Sequence, residues 1–164
     1  MPLQQPFLEA LLLEYERLRG LLTGLSRELE HATGLTSAPL DSTHARLLLE
    51  RLRQVNIPHH IRELHGLFTR IGQRCPPLAP VLLRMAHEHA QLEPMYFELV
   101  AALNLKPAYA LPARSGLVEQ VNRFVQVVLG HLEVEENYIL PVATDFLSAQ
   151  DWTEMQAVHD RPAA

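Results

Sequence analysis

Apolar residues recur along this chain at helical spacing. Leu8, Leu11, Tyr15, Leu18, Leu22, Leu25 and Leu29 follow one another at steps of three and four, which lines one face of a helix. Pro6 stands near its start, where a missing N–H interrupts nothing. The stretch 31–40, holding Thr, Gly, Ser and Pro, reads as a loop. A second helix is expected to open at Asp41 or Ser42, either a good N-cap, and to run to about Arg74. Leu48, Leu52, Val55, His59, Glu63, Leu67 and Ile71 are its inward positions, and Cys75-Pro76-Pro77 ends it. The third helix, from Leu78 to Leu105, carries Leu82, Met85, His89, Leu92, Tyr96, Leu99 and Leu103 in heptad-like steps. After a loop over 107–112, the fourth presents Val121, Phe124, Val128, His131, Glu135, Tyr138 and Val142 on one face. Ser148 followed three residues on by Asp151 is a capping-box-like start for a short tail helix containing Trp152.

β-branched residues never alternate with polar ones over a useful stretch, so the fold class is all-α. Four long helices joined by short loops predict an up-down-up-down antiparallel four-helix bundle with a short C-terminal helix. One domain is expected over residues 1–160, with 161–164 a flexible tail.

Composition narrows the class further. The 164 residues are 48% hydrophobic and 20% charged, which suits a soluble domain with a real core. A net charge of -5 argues against nucleic acid or an anionic membrane as the main partner. Glu9, Glu14 and Glu16 interrupt the first 30 residues, so neither a signal peptide nor a membrane span is expected there. The single Cys75 excludes an internal disulfide framework and points to the cytoplasm, where the protein is expected as a monomer or homodimer.

The informative residues are the polar ones on apolar stripes. His59 and Glu63, His89 and Glu93, and His131 and Glu135 are His-x3-Glu pairs on the second, third and fourth helices. A spacing of four puts both side chains on one face, here the apolar one. One such pair is common by chance; one on each of three buried stripes is not. Buried carboxylates without partners would cost several kcal/mol, on the order of 2–7, or revert to the neutral acid. A bound cation resolves this, because ligation deprotonates and neutralises the groups together. Imidazole with carboxylate suits iron, with zinc or manganese as other occupants.

At these residues the chain resembles the hemerythrin-like (HHE cation-binding) family. His59-His60-Ile61-Arg62-Glu63-Leu64-His65-Gly66-Leu67-Phe68 is similar to the family's second-helix motif, and Glu88-His89-Ala90-Gln91-Leu92-Glu93 to its third. His131-Leu132-Glu133-Val134-Glu135-Glu136, continuing to Pro141, resembles the fourth. The resemblance implies two iron ions bridged by Glu63 and Glu135. It implies His89 and His131 on one ion, with Glu93 at a further ligand place, and His59 on the other. Tyr15 stands where the family has a first-helix histidine, and Leu64 and Thr69 replace a Glu and a Pro. Tyr15 is either a phenolate ligand favouring ferric iron or a core phenol hydrogen-bonded to a buried carboxylate, and the sequence leaves both open. His60, about 100° around from His59, is assigned to a helix–helix boundary, with a contact behind the ligands as the alternative. His31, His44, His65, His87 and His159 are assigned to the surface.

The function expected from this resemblance is binding, sensing or detoxifying a small diatomic molecule or peroxide at a di-iron site. Iron handling or iron–sulfur repair is a second reading, and a metal-free bundle acting as an interaction module is a third. Pro58 and Pro94, interior to helices two and three, predict bends beside the site.

Overall fold

The computed structural model describes residues 6–33, 42–104 and 111–160, and all regular structure among them is helical. Helix α1 spans Pro6–Thr33. Helix α2 covers 42–74, and after a 3-10 turn at Pro76–Leu78 helix α3 spans Ala79–Asn104. Helix α4 covers 111–146, and the tail helix α5 spans Ala149–His159. The loop expected over 31–40 starts later, since α1 continues to Thr33, and α4 begins at Leu111, inside the expected second loop. Asp41, Leu105 and the tail 161–164 lie outside the described residues.

Helix α2 stops where its prolines demand. Cys75 precedes Pro76 and takes φ -132, ψ 73, outside the α region that a following proline ring disfavours. The tail helix begins with the expected capping box: the Ser148 hydroxyl accepts from the Asp151 N–H, and the Asp151 carboxylate accepts from the Ser148 N–H at 2.9 Å.

Each long helix packs on two others, α1 on α2 and α4, and α3 on α2 and α4. The stripe of α1 from Leu11 to Leu29 is buried, as is the whole expected stripe of α3. On α2, Asn56 rather than Val55 is the buried residue before His59. Helix α5 packs on α1, where Trp152 meets Phe7 with ring centroids 6.2 Å apart. No described helix is long and apolar enough to cross a membrane.

Two π turns set the register of the helices that carry the polar stripe residues. Helix α2 is α-helical over Ser42–Arg62, widens to a π turn over Glu63–Leu67 and resumes over Phe68–Arg74. Helix α4 does the same, with Leu111–Val134, the π turn Glu135–Ile139, and Leu140–Phe146. The spacing of the buried residues explains why. His59, Glu63, Leu67 and Ile71 are all buried and lie four apart, as do His131, Glu135, Ile139 and Ala143. A pure α-helix would carry the last member of either set about 120° around from the first. The extra residue held in a π turn brings it back to within about 20°.

The same turn overturns the sequence reading of the lower half of α4. An uninterrupted helix puts Tyr138 and Val142 inward, yet Tyr138 is 52% exposed and Ile139 and Ala143 are fully buried in their place. Pro58 and Pro94 both lie inside continuous α-helix, and the π turns begin at Glu63 and Glu135.

Candidate metal centre

The two π turns begin at the two carboxylates that face each other in the core. Glu63 and Glu135 are both 0% exposed, and His59, His89 and His131 surround them at 0%, 6% and 2%. Nε2 of His59 lies 3.3 Å from Oε1 of Glu63 and 3.8 Å from Oε2 of Glu135. Nε2 of His89 lies 3.3 Å from Oε2 of Glu63 and 3.6 Å from Oε1 of Glu135. Nε2 of His131 is 2.8 Å from Oε1 of Glu135 and 2.6 Å from Nε2 of His89. Donor atoms of Glu63, His89, His131 and Glu135 all fall within 4.8 Å of one another.

Carboxylates behind the histidines aim their rings. Oε2 of Glu14, on α1, accepts from Nδ1 of His59 at 3.1 Å, and Arg62 holds the other oxygen of Glu14. Oε2 of Glu88, on α3, accepts from Nδ1 of His131 at 2.8 Å. An imidazole that donates through Nδ1 keeps a lone pair on Nε2, so these two bonds turn lone pairs toward Glu63 and Glu135. Sequence reasoning gave Glu14 and Glu88 no role. Their signal is that each immediately precedes a stripe residue, Tyr15 or His89, and so stands at the seam with the next helix.

Tyr15 joins the cluster through Glu63. It is fully buried, its hydroxyl donates to Oε1 of Glu63 at 3.0 Å, and its ring stands edge-on to His59 with centroids 5.1 Å apart. Burial, then the Glu63 and Glu135 charges, push its pKa well above the ordinary phenol range.

Glu93 does not join the other six residues: it is exposed on α3, at the lining of a cavity. The α3 stripe steps from His89 by three to Leu92 and by four to Tyr96, and Glu93 lies about 100° past Leu92, turned toward solvent. His60, assigned to a helix–helix boundary, lies at the α2–α3 boundary and from there reaches the cluster. Its ring stacks on His89 with centroids 3.7 Å apart and planes 14° apart, because α2 turns that position toward α3. Burial, then neighbouring His89, His59 and His131, lower its pKa to about 2, so the ring is neutral.

Without an ion the centre is electrostatically divided. Burial and the Glu135 charge push the Glu63 carboxyl up. Burial acts the same way on Glu135, but the facing imidazoles of His131, His59 and His89 outweigh it and hold that group well below the usual carboxylate range. Burial alone would lower His59 and His131, yet their facing carboxylates outweigh it and raise both. Protons therefore compete with a cation for this place.

The donor set fits a metal ion. Nε2 of His59, Oε2 of Glu63 and both oxygens of Glu135 are buried without a hydrogen bond of good geometry. Four unpaired buried polar atoms facing one another are expensive unless a cation engages them together. Imidazole nitrogen and carboxylate oxygen are the donors that iron, zinc and manganese accept.

A helical domain with a buried cluster of three histidines and two glutamates contributed by three helices is of the class able to hold a metal ion in its core. The family model of the hemerythrin HHE cation binding domain matches residues 7–143, and the chain belongs to that family. No curated protein and no solved structure matches the chain.

Proposed function

We propose that this protein is a non-haem di-iron protein that binds, senses or detoxifies a small oxidant, namely dioxygen, nitric oxide or peroxide. The observation that carries the reading is the fully buried Glu63–Glu135 pair, whose unpartnered oxygens face the Nε2 atoms of His59, His89 and His131. In this reading Glu63 and Glu135 would hold the ions together with the three histidines. His59 would serve one ion, with Tyr15 alongside, and His89 and His131 the other. Iron bound there would supply a redox-active Lewis acid, and zinc or manganese would supply the Lewis acid without the same oxidant chemistry.

The remaining residues prepare that site. Glu14 and Glu88 fix the tautomers of His59 and His131, so that Nε2 of each is free to ligate. Tyr15 donates a proton-bearing hydroxyl to Glu63 and thereby orients that carboxylate. Leu67, Leu132 and Ile139 exclude water around it. A cavity of about 270 Å³ between α2 and α3, walled by Leu64, Leu92 and Phe124, reaches His60 and His89 and is wide enough for a diatomic molecule or peroxide. The pairwise helix packing and short connections support an up-down-up-down antiparallel bundle, and the lone cysteine supports a cytoplasmic site of action.

Metal analysis of protein purified after iron-replete expression, with and without air, tests the binding claim. About two irons per chain is expected; zero metal in both preparations would overturn it. Stopped-flow mixing of the ferrous protein with dioxygen, nitric oxide and peroxide then separates an oxidant-reactive site, with rapid spectral change, from an iron-handling site that merely releases metal to chelators.

A further inference from the structure

The half of the cluster on α3 and α4 is short of donors. His89 and His131 converge there, their Nε2 atoms 2.6 Å apart, while Glu93, the residue spaced to join them, faces outward. Among the described residues one further imidazole is grouped with the two histidines. His60 lines the same cavity as Glu93, and donor atoms of His60, His89 and His131 all lie within 4.8 Å of one another.

We propose that His60 supplies the third nitrogen donor to an ion held by His89 and His131, in the place that Glu93 leaves. This rests on the metal-binding reading above and adds a residue and an asymmetry to it. Two imidazoles bound side by side on one ion, with metal–nitrogen bonds of about 2.1 Å, have their nitrogens about 3 Å apart. Donor atoms of the two rings already lie within 4.8 Å of each other, but stacked with planes 14° apart their lone pairs run side by side, so sharing an ion requires the His60 ring to turn out of the stack. Phe68 lies against the His89 ring as well, with centroids 5.7 Å apart and planes 15° apart, so His89 is held in its plane and His60, partly buried at the cavity wall, is the ring that turns. The consequence is a centre with two unlike halves. One is nitrogen-rich, with His60, His89 and His131. The other has His59 as its sole imidazole beside the Tyr15 phenol. Borderline divalent ions such as zinc and cobalt belong in the nitrogen-rich half.

Cobalt(II) titration of the metal-free full chain, followed by visible absorption and by metal count after desalting, tests this. His60→Phe keeps a flat ring against His89 and removes both nitrogens. It is expected to melt like the wild type without metal, and to lose the same cobalt ion that His89→Ala loses, or bind it at least about tenfold more weakly. Glu93→Gln is expected to bind cobalt as the wild type does. A His60→Phe variant that binds cobalt like the wild type would mean that His60 only packs on His89, and would overturn the proposal alone. Loss of the ion in Glu93→Gln, with His60→Phe unaffected, would also overturn it, because Glu93 would then be the ligand. A wild type that binds no ion overturns the metal reading and this inference together.

Discussion

The Tyr15 hydroxyl donates to Oε1 of Glu63 at 3.0 Å, tying α1 to α2 across 48 residues of sequence. Both side chains are fully buried, and the surroundings of Tyr15 hold its proton in place. Tyr15→Phe is therefore expected to cost about 1–3 kcal/mol in the metal-free protein, the usual penalty for orphaning a buried carboxyl, as read from denaturant melts. The ferric protein is expected to show no phenolate-to-iron absorption band that the variant loses. Such a band, absent in Tyr15→Phe, would make Tyr15 a ligand instead.

Metal binding should depend steeply on pH. His59, His131 and Glu63 all hold their protons to higher pH than ordinary in the metal-free fold. A raised folded value stabilises the fold below the unfolded value, and that contribution is lost as pH rises through the folded one. Glu135, held low, is already ionised throughout this window and adds no slope. The metal-free protein should thus lose stability as pH rises above the ordinary histidine value of about 6.5, while metal affinity rises by about tenfold or more per unit as protons stop competing. Thermal melts of both forms on either side of that value check this, and a melting gap that narrows with rising pH would contradict it.

Glu88→Gln and Glu14→Gln should each weaken metal binding by about 10- to 100-fold without unfolding the protein. Each removes the charge that holds the Nδ1–H of His131 or His59. Competition against a chelator of known affinity gives the measurement, and unchanged affinity in both variants would deny these carboxylates their orienting role.

The register of α4 has a direct mutational signature. Ile139→Ala should cost about 2–5 kcal/mol, because Ile139 is fully buried. Tyr138→Ala should stay within about 0.5 kcal/mol, because Tyr138 is half exposed. The opposite order would mean that α4 runs on without its π turn.

Asp151 anchors the tail helix. Two hydrogen bonds of 3.0 Å from Arg74, then those from Ser148, hold its carboxyl below the usual range. A depressed folded value means that its contribution is present above the unfolded value and disappears as pH falls through the folded one. Asp151→Asn should cost about 0.5–2 kcal/mol at neutral pH, typical for a lost cap, and progressively less below about pH 4. Urea melts at both ends of that range distinguish this from a pH-independent packing defect.

Local pattern determined much of this protein by itself. The stripes of α1 and α3, the stop at Cys75-Pro76, the cap at Ser148 and the inward sets His59–Glu63 and His131–Glu135 all follow from residue type and helical period. Tertiary structure decided what periodicity cannot express. A single period assumes a uniform helix, so the turn that widens at Glu135 and exchanges Tyr138 for Ile139 is invisible to it. A spacing of four likewise leaves two side chains about 40° apart, and only the neighbouring helix selects between them. Packing on α2 and α4 keeps His89 inside and leaves Glu93 out, and the same α2–α3 seam draws His60 onto His89. The sequence holds the polar residues; the approach of one helix to the next determines which of them meet.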